Sequence, residues 1–431
     1  MTHRADRTLH TPALTRVEGE GAMTVRIEDG RLASVELSIY EPPRFFEAML
    51  RGRRHTEPPD VTARICGICP VAYQMSACQA VERACGVAVE GALRDLRRLL
   101  YCGEWIESHC LHVFLLHAPD YLGYPSGLAM AADHREWVER GLALKKVGNQ
   151  ILEVVGGRAV HPVNVRVGGF YRAPTAHELE PLAERLAWAR EAALATVEWV
   201  SGFPTPDFEG DYLFLALRHP SEYAVLDGRV GSSTGLDADV ASFEDHVVEE
   251  QVAHSTALHA RLDGRRYLTG PLARFALNRD KLAPAARGAA AAAGLDGPCH
   301  NPFRSIVVRA VEVLHACEEG LRLIEAYREP AAPFVDVPPR PGEGWGATEA
   351  PRGLLYHRYR IDGEGVIHAA RIIPPTSQNQ GQIEDDLRRF VAPRLDLPDD
   401  ELARQCEQAI RSHDPCISCA THFLDLRVEG R

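Results

Sequence analysis

Around Asp29-Gly30, apolar and polar side chains alternate at period two: Met-Thr-Val-Arg-Ile before the pair, Leu-Ala-Ser-Val-Glu-Leu-Ser-Ile after it. Alternation about such a dipeptide predicts a β-hairpin over 22–38. The charged, glycine-containing loop Thr15-Arg16-Val17-Glu18-Gly19-Glu20 precedes it, and on composition alone Glu18 is a solvated loop carboxylate. Beyond the hairpin the period becomes helical. A short helix is expected over 45–50, one over 71–84, and a buried one over 96–116, where Leu96, Leu99, Leu100, Ile106, Leu111, Phe114 and Leu115 recur with little polar relief. The last carries His109 and His112, with His117 near its end, and all three read as core or supporting histidines.

Further helices are predicted at 133–155, 177–200, 241–261, 281–294, 304–328, 382–391 and 399–412, with loops and short strands over 201–240. The Pro- and Gly-rich run 329–346 reads as a surface crossing. A β segment over 354–373, broken at Asp362-Gly363, follows it, and Pro374-Pro375-Thr376-Ser377-Gln378-Asn379 leads into the helix at 382. The fold class is therefore α+β and predominantly α: a long buried helical bundle, a small N-terminal β-hairpin region and a peripheral β segment before the C-terminal helix. Three closely packed parts are expected: 1–65, a β and loop region carrying Glu18 and Glu47; 66–330, the helical core; and 331–431, closing the site described next.

That site comes from two cysteine pairs at opposite ends of the chain, Cys66-Gly67-Ile68-Cys69 and Cys416-Ile417-Ser418-Cys419. One Cys-x-x-Cys is a weak signal, but two offer four thiolates for one soft metal. A closed structural zinc and a redox-active metal suit the thiols about equally well. The other cysteines, Cys78, Cys85, Cys102, Cys110, Cys299, Cys317 and Cys406, read as small buried hydrophobes.

Composition narrows the function. The chain has 431 residues, 45% hydrophobic and 25% charged, enough for a large interior. A net charge of -12 without clustered Lys and Arg argues against nucleic acid. No run approaches the roughly 18 to 20 apolar residues of a membrane span. Met1 to Asp6 show no signal-peptide pattern, so the cytoplasm is the expected location. No Gly-x-Gly-x-x-Gly follows a strand, which argues against a dinucleotide fold.

Arg64-x-Cys66-x-x-Cys69 together with Asp414-Pro415-Cys416-x-x-Cys419-x-x-His422 resembles the large subunit of nickel-iron hydrogenases. Four further stretches agree in order: Thr15-Arg16-Val17-Glu18-Gly19, Phe46-Glu47 with Leu50-Arg51-Gly52-Arg53, Glu349-Ala350-Pro351-Arg352-Gly353, and Pro375-Thr376-Ser377-Gln378-Asn379. The resemblance implies that Cys66, Cys69, Cys416 and Cys419 ligate nickel, with Cys69 and Cys419 bridging to an iron that bears carbon monoxide and cyanide. It implies heterolytic cleavage of dihydrogen, with a terminal thiolate or Glu18 taking the proton, which reverses the bland reading of Glu18. Arg352 would overhang the open site and Asp414 would orient it, while Pro351, Pro375 and Thr376 line the pocket of the diatomic ligands. Glu47, the carbonyl of Ile372 and His422 would hold magnesium or another divalent ion.

Two positions depart from the commonest pattern: Glu20 stands where many members have histidine, and Ser108 where many have aspartate. The interior pattern and length look most like the cytoplasmic, NAD(P)-linked or sulfhydrogenase-type group. Because the other cysteines form no iron-sulfur run, the resemblance implies an iron-sulfur small subunit, further subunits with flavin that react with NAD(P) or a sulfur acceptor, and a maturation protease and chaperone. Neither flavin nor an iron-sulfur cluster is expected in this chain. Residues 423–431 read either as a maturation peptide or as a retained terminal strand. Two rivals are a quinone-reducing respiratory-complex subunit, disfavoured by the four cysteines, and a scaffold with structural zinc.

Overall fold

The computed structural model describes residues 6–420. Strands β1 (Arg7–Thr11), β2 (Gly21–Glu28) and β3 (Arg31–Ile39) form an antiparallel sheet in that order. The expected hairpin is β2–β3, and its two turn residues, Asp29 at φ 49° and Gly30 at φ 72°, both take the left-handed conformation of a tight two-residue turn. Strand β1 is an addition. Of its five residues only Leu9 is buried, so it carries too little apolar alternation to be read in advance.

Helices α1 (Pro70–Cys85), α2 (Gly91–Cys110), α3 (Arg135–Gly156), α4 (Ala176–Ser201) and α5 (Ser305–Ala326) make the helical body. Helix α2 packs on α3 and α5, and α4 packs on α3 and α5. The α2–α3 crossing is backbone on backbone: a Cβ on Gly148 would lie 2.6 Å from the carbonyl oxygen of Gly103. Past Cys110 the α2 chain widens into a π-helical segment, Leu111–His117. Its longer turn suits residues five apart, and the His112 and His117 rings stand 5.0 Å from each other.

The helix expected over 241–261 is instead short helical turns over 240–246 followed by a hairpin, β4 (Val247–Glu250) and β5 (His259–Leu262). A distant contact decides this. Thr256, in the connection, donates its backbone N–H (2.8 Å) and its hydroxyl (3.0 Å) to the carbonyl of Ile39 at the end of β3.

The presumed surface crossing also ends early, because strand β6 (Gly342–Ala350) begins inside it. With β7 (Gly353–Ile361) and β8 (Ile367–Ile373) it forms a second antiparallel sheet, β6-β7-β8. This sheet lies deeper than its proline-rich approach suggests, since β6 rests directly on α1. Gly342, Gly344 and Gly346 recur at period two on the strand, facing Ala84, Ala80 and Ser76 at period four on the helix. Two strand residues span about 6.6 Å and four helical residues about 6 Å, so the two small-residue rows stay in step. Only glycine fits there: a Cβ on Gly346 would come 2.1 Å from the carbonyl oxygen of Ser76. Gly346→Ala is expected to destabilise the protein by about 3 kcal/mol or more, measured by chemical denaturation.

Helix α6 (Pro375–Val391) starts seven residues before the expected 382, with Pro375 in its first turn, where the missing N–H costs nothing. Helix α7 (Asp399–His413) then leads to the second cysteine pair. One continuous hydrophobic core draws on residues from Leu9 to Cys419. Among the described residues no helix is long and apolar enough to cross a membrane.

Candidate metal centre

The two cysteine pairs meet. The sulfurs of Cys66, Cys69, Cys416 and Cys419 lie within 4.8 Å of one another and all four residues are buried. Individual separations are 3.4 Å for Cys66–Cys416, 3.5 Å for Cys69–Cys419 and 2.8 Å for Cys416–Cys419. None is in a disulfide, and the seven other cysteines are free and buried as expected of small hydrophobes. Four converging buried thiols are a donor set for a soft transition metal, and the residues fit such a group. Hydrogen bonds from the sulfurs of Cys416, Cys419 and Cys69 push Cys66 well below the usual thiol range, whereas burial pushes Cys416 up.

Each pair is held by the chain around it. Cys66 is extended after a tight turn at Ala63–Ile65, and Cys69 caps α1 ahead of Pro70. On the other side α7 ends at Asp414 in the left-handed conformation, φ 53°, which turns Pro415 and Cys416 inward. Cys416 donates its N–H to the hydroxyl of Thr376 at 3.1 Å, in the first turn of α6. Pro375 and Thr376 are therefore brought to the cysteines by the early start of that helix.

The N-terminal loop lies along the second pair. Glu18 accepts the backbone N–H of Ile417 on its carbonyl at 2.9 Å, and its carboxylate Oε2 lies 3.1 Å from both the Cys416 sulfur and the Ser418 N–H. Gly19, at φ 90°, is needed for this approach, since a Cβ there would be 2.7 Å from Ile417. Burial raises the Glu18 carboxyl above the ordinary range, and negative charge on Cys66 adds to the rise.

Arg352 sits at the turn between β6 and β7. Its Nε donates to the Asp414 carbonyl and its Nη2 to Asp414 Oδ1, both at 3.0 Å, and Nη1 lies 3.4 Å from Ser108 Oγ. Burial works against its charge, but Asp414 and the thiolates outweigh it and hold the guanidinium protonated. The turn is fixed by Arg274, which donates to the carbonyls of Ala350 (2.7 Å) and Pro351 (2.9 Å). Arg274 is itself buried in ion pairs with Glu312 at 2.8 Å and Glu349 at 3.2 Å. Burial pushes Glu349 up to about 7, with Arg274 pulling the other way. The expected histidine His109 closes this network at 2.9 Å from Glu312, and burial holds it down at about 4.

Glu47, on the short helix Phe46–Leu50, is 2% exposed and accepts the N–H of Ile372 at 2.8 Å, with Arg371 at 3.9 Å. The third member of that set, His422, lies outside the described residues, as does 423–431.

Two further residues hold the centre. Arg44 donates to the carbonyls of Ile65 (2.8 Å) and Ser418, one from each cysteine loop, so it ties the two ends together. Nothing local marks it. Glu104, on α2, accepts the N–H groups of Val71 (2.6 Å) and Ala72 (3.1 Å), satisfying the open first turn of α1 just after Cys69. Burial raises its carboxyl well above the usual range. Its signal was present in the sequence: a carboxylate within the buried stretch 96–116.

Chain comparison defines the class. The model of the nickel-dependent hydrogenase family matches residues 44–140 and 308–422, which include both cysteine pairs. The alpha subunits of sulfhydrogenase 1 and sulfhydrogenase 2 of Pyrococcus furiosus are 32% and 33% identical to this chain. Each alignment spans 96% of this chain, and 97% and 98% of the relative respectively. A crystal structure of an NAD+-reducing NiFe-hydrogenase in the H2-reduced state superposes with TM-score 0.86 at 28% identity, over 97% of this chain and 100% of that one. A NiFeSe-hydrogenase from Dm. baculatum, 22% identical with TM-score 0.79 over 97% and 100%, shares the fold. The chain belongs to the nickel-dependent hydrogenases, as a large subunit. Its activity is that of a nickel-iron hydrogenase, the reversible oxidation of dihydrogen to protons and electrons, and the four cysteines fit the nickel-iron centre that such a subunit holds.

Proposed function

We propose that Cys66, Cys69, Cys416 and Cys419 would hold the nickel-iron group, Cys66 and Cys416 as ligands of nickel and Cys69 and Cys419 as ligands of nickel and of an iron carrying carbon monoxide and cyanide, and that Glu18 would be the first group to move the proton away. When bound, the nickel-iron group supplies an open position at which dihydrogen is polarised and split heterolytically. The chain's residues do the rest. The observation that carries this reading is the 3.1 Å contact between Cys416 Sγ and Glu18 Oε2. It lets a proton pass from the sulfur to the carboxylate without an intervening water. The raised Glu18 pKa makes the carboxylate a better acceptor and a slower releaser than an exposed glutamate. Arg352, kept charged and aimed by Asp414, places positive charge beside the thiols, while Pro351, Pro375 and Thr376 would line the pocket of the diatomic ligands.

Glu47, the Ile372 carbonyl and His422 would hold magnesium or a similar hard cation; the buried Glu47 carboxylate, which accepts the Ile372 N–H, supports the placing of the first two side by side. Electrons leave to an iron-sulfur small subunit and on to flavin- and NAD(P)-reactive subunits in the cytoplasm. The likeness to sulfhydrogenase alpha subunits and to an NAD+-reducing enzyme supports that assignment. A maturation protease and chaperone act on the chain before assembly.

Glu18→Gln tests the proton route. H2 turnover is expected to fall about a hundred- to ten-thousandfold with nickel content unchanged, and Glu18→Asp to recover part of the loss. Turnover at the unmutated rate would remove Glu18 from the path. Metal analysis tests the centre: about one nickel and one iron per chain, with infrared bands of carbon monoxide and cyanide, are expected, and one zinc without those bands would refute it.

A further inference from the structure

A second group of metal-ligating side chains lies apart from the four cysteines. His254, in the connection between β4 and β5, His259, the first residue of β5, and Glu384, on α6, bring one ligand atom each to within 4.8 Å of the others. His254 Nε2 is 2.6 Å from Glu384 Oε1. His259 is only 6% exposed, and its buried Nε2 has no hydrogen-bond partner among the described residues. Glu384 is fixed from behind, because Oε1 also accepts the backbone N–H of Leu37 in β3 at 3.0 Å.

We propose that His254, His259 and Glu384 form a binding site for a divalent transition ion of the zinc class. An unpartnered nitrogen buried beside a histidine–carboxylate pair lacks only a cation to satisfy it. Two imidazoles and one carboxylate suit zinc and its neighbours, whereas magnesium and calcium take oxygen ligands. Three protein ligands leave a fourth position, and the His254 side chain, 25% exposed, gives water and the ion a way in. The Leu37 amide is the kind of outer contact that orients a ligating carboxylate. For Nε2 of His254 to ligate, its lone pair must face the ion, so the ring takes the tautomer with its hydrogen on Nδ1.

The site joins three elements distant in sequence: β3 through Leu37, the β4–β5 hairpin through both histidines, and α6 through Glu384. On α6, Glu384 follows Thr376 by eight residues, about 12 Å along the helix axis. A bound ion thus clamps the hairpin and the N-terminal sheet to the helix whose first turn receives the Cys416 amide.

The test uses the assembled enzyme with its nickel-iron centre loaded, so that the cysteines are occupied. The protein is treated with a mild chelator, titrated with zinc, dialysed, and assayed for all metals. The expected result is one retained zinc per chain beyond nickel and iron, and none in His254→Ala/His259→Ala at equal nickel content. Cobalt in place of zinc should give d–d absorption without thiolate-to-cobalt charge transfer. Zinc that is not retained by the unmutated enzyme, or is retained equally by the double variant, overturns the proposal. Should the double variant fail to assemble, Glu384→Gln, which keeps the side chain's shape, and the cobalt spectrum of the unmutated enzyme decide. No d–d bands, or thiolate charge transfer, overturns it equally.

Discussion

Cys416→Ser is expected to lose both nickel and H2 turnover, the latter to background. The Cys416 sulfur lies at the centre of the cluster, 2.8 Å from Cys419, 3.4 Å from Cys66 and 3.1 Å from the Glu18 carboxylate. A serine hydroxyl there is a hard donor that stays protonated near neutral pH, so it withdraws one of four soft ligands and also breaks the sulfur-to-carboxylate contact. Seven of the eleven cysteines are plain buried residues, so Cys110→Ser or Cys317→Ala serves as a control that should keep its nickel. Nickel quantified by mass spectrometry alongside H2-driven dye reduction checks the prediction. A Cys416→Ser enzyme with full nickel and full turnover would refute the assignment of the centre.

Arg352→Met should lower turnover by about a hundred- to a thousandfold while nickel stays bound, the size of effect seen when one preorganised charged donor is removed from a water-excluded site. Methionine keeps most of the volume and removes the charge. Asp414 then loses its 3.0 Å partner, leaving Arg309 at 3.8 Å, so some loss of stability accompanies the loss of rate. Arg352→Lys restores the charge without the planar fork that engages both the Asp414 carbonyl and its carboxylate, and should recover only part of the activity. Rates and denaturation midpoints measured together separate the two effects. Unchanged turnover in Arg352→Met would dismiss the guanidinium from the reaction.

Which parts were legible depended on where the deciding forces act. Period-two alternation around Asp29-Gly30 gave the β2–β3 hairpin because both its turn and its buried face are local. The long helices were legible for the same reason. The 241–261 stretch misled, since its helical pattern is overruled by Thr256 bonding to Ile39, more than two hundred residues away. Gly342, Gly344 and Gly346 resembled a loop because glycine usually weakens a strand. Their meaning appears only with Ser76, Ala80 and Ala84 laid against them.

The centre divides in the same way. The sequence by itself determined the donor set, four thiols in two pairs, because donor type and short spacing are written in the residues, while Glu18, Arg352, Asp414 and Thr376 stood out only through the resemblance to the hydrogenase large subunit. Tertiary structure alone decided that the pairs meet, that Glu18 stands 3.1 Å from Cys416, and that Arg44 and Glu104 hold the two loops in place. It alone decided, too, that His254, His259 and Glu384 converge. The physical reason is range: backbone propensity and ligand spacing act over a few residues, whereas a metal centre closed by both ends of a chain depends on packing across some 350 positions.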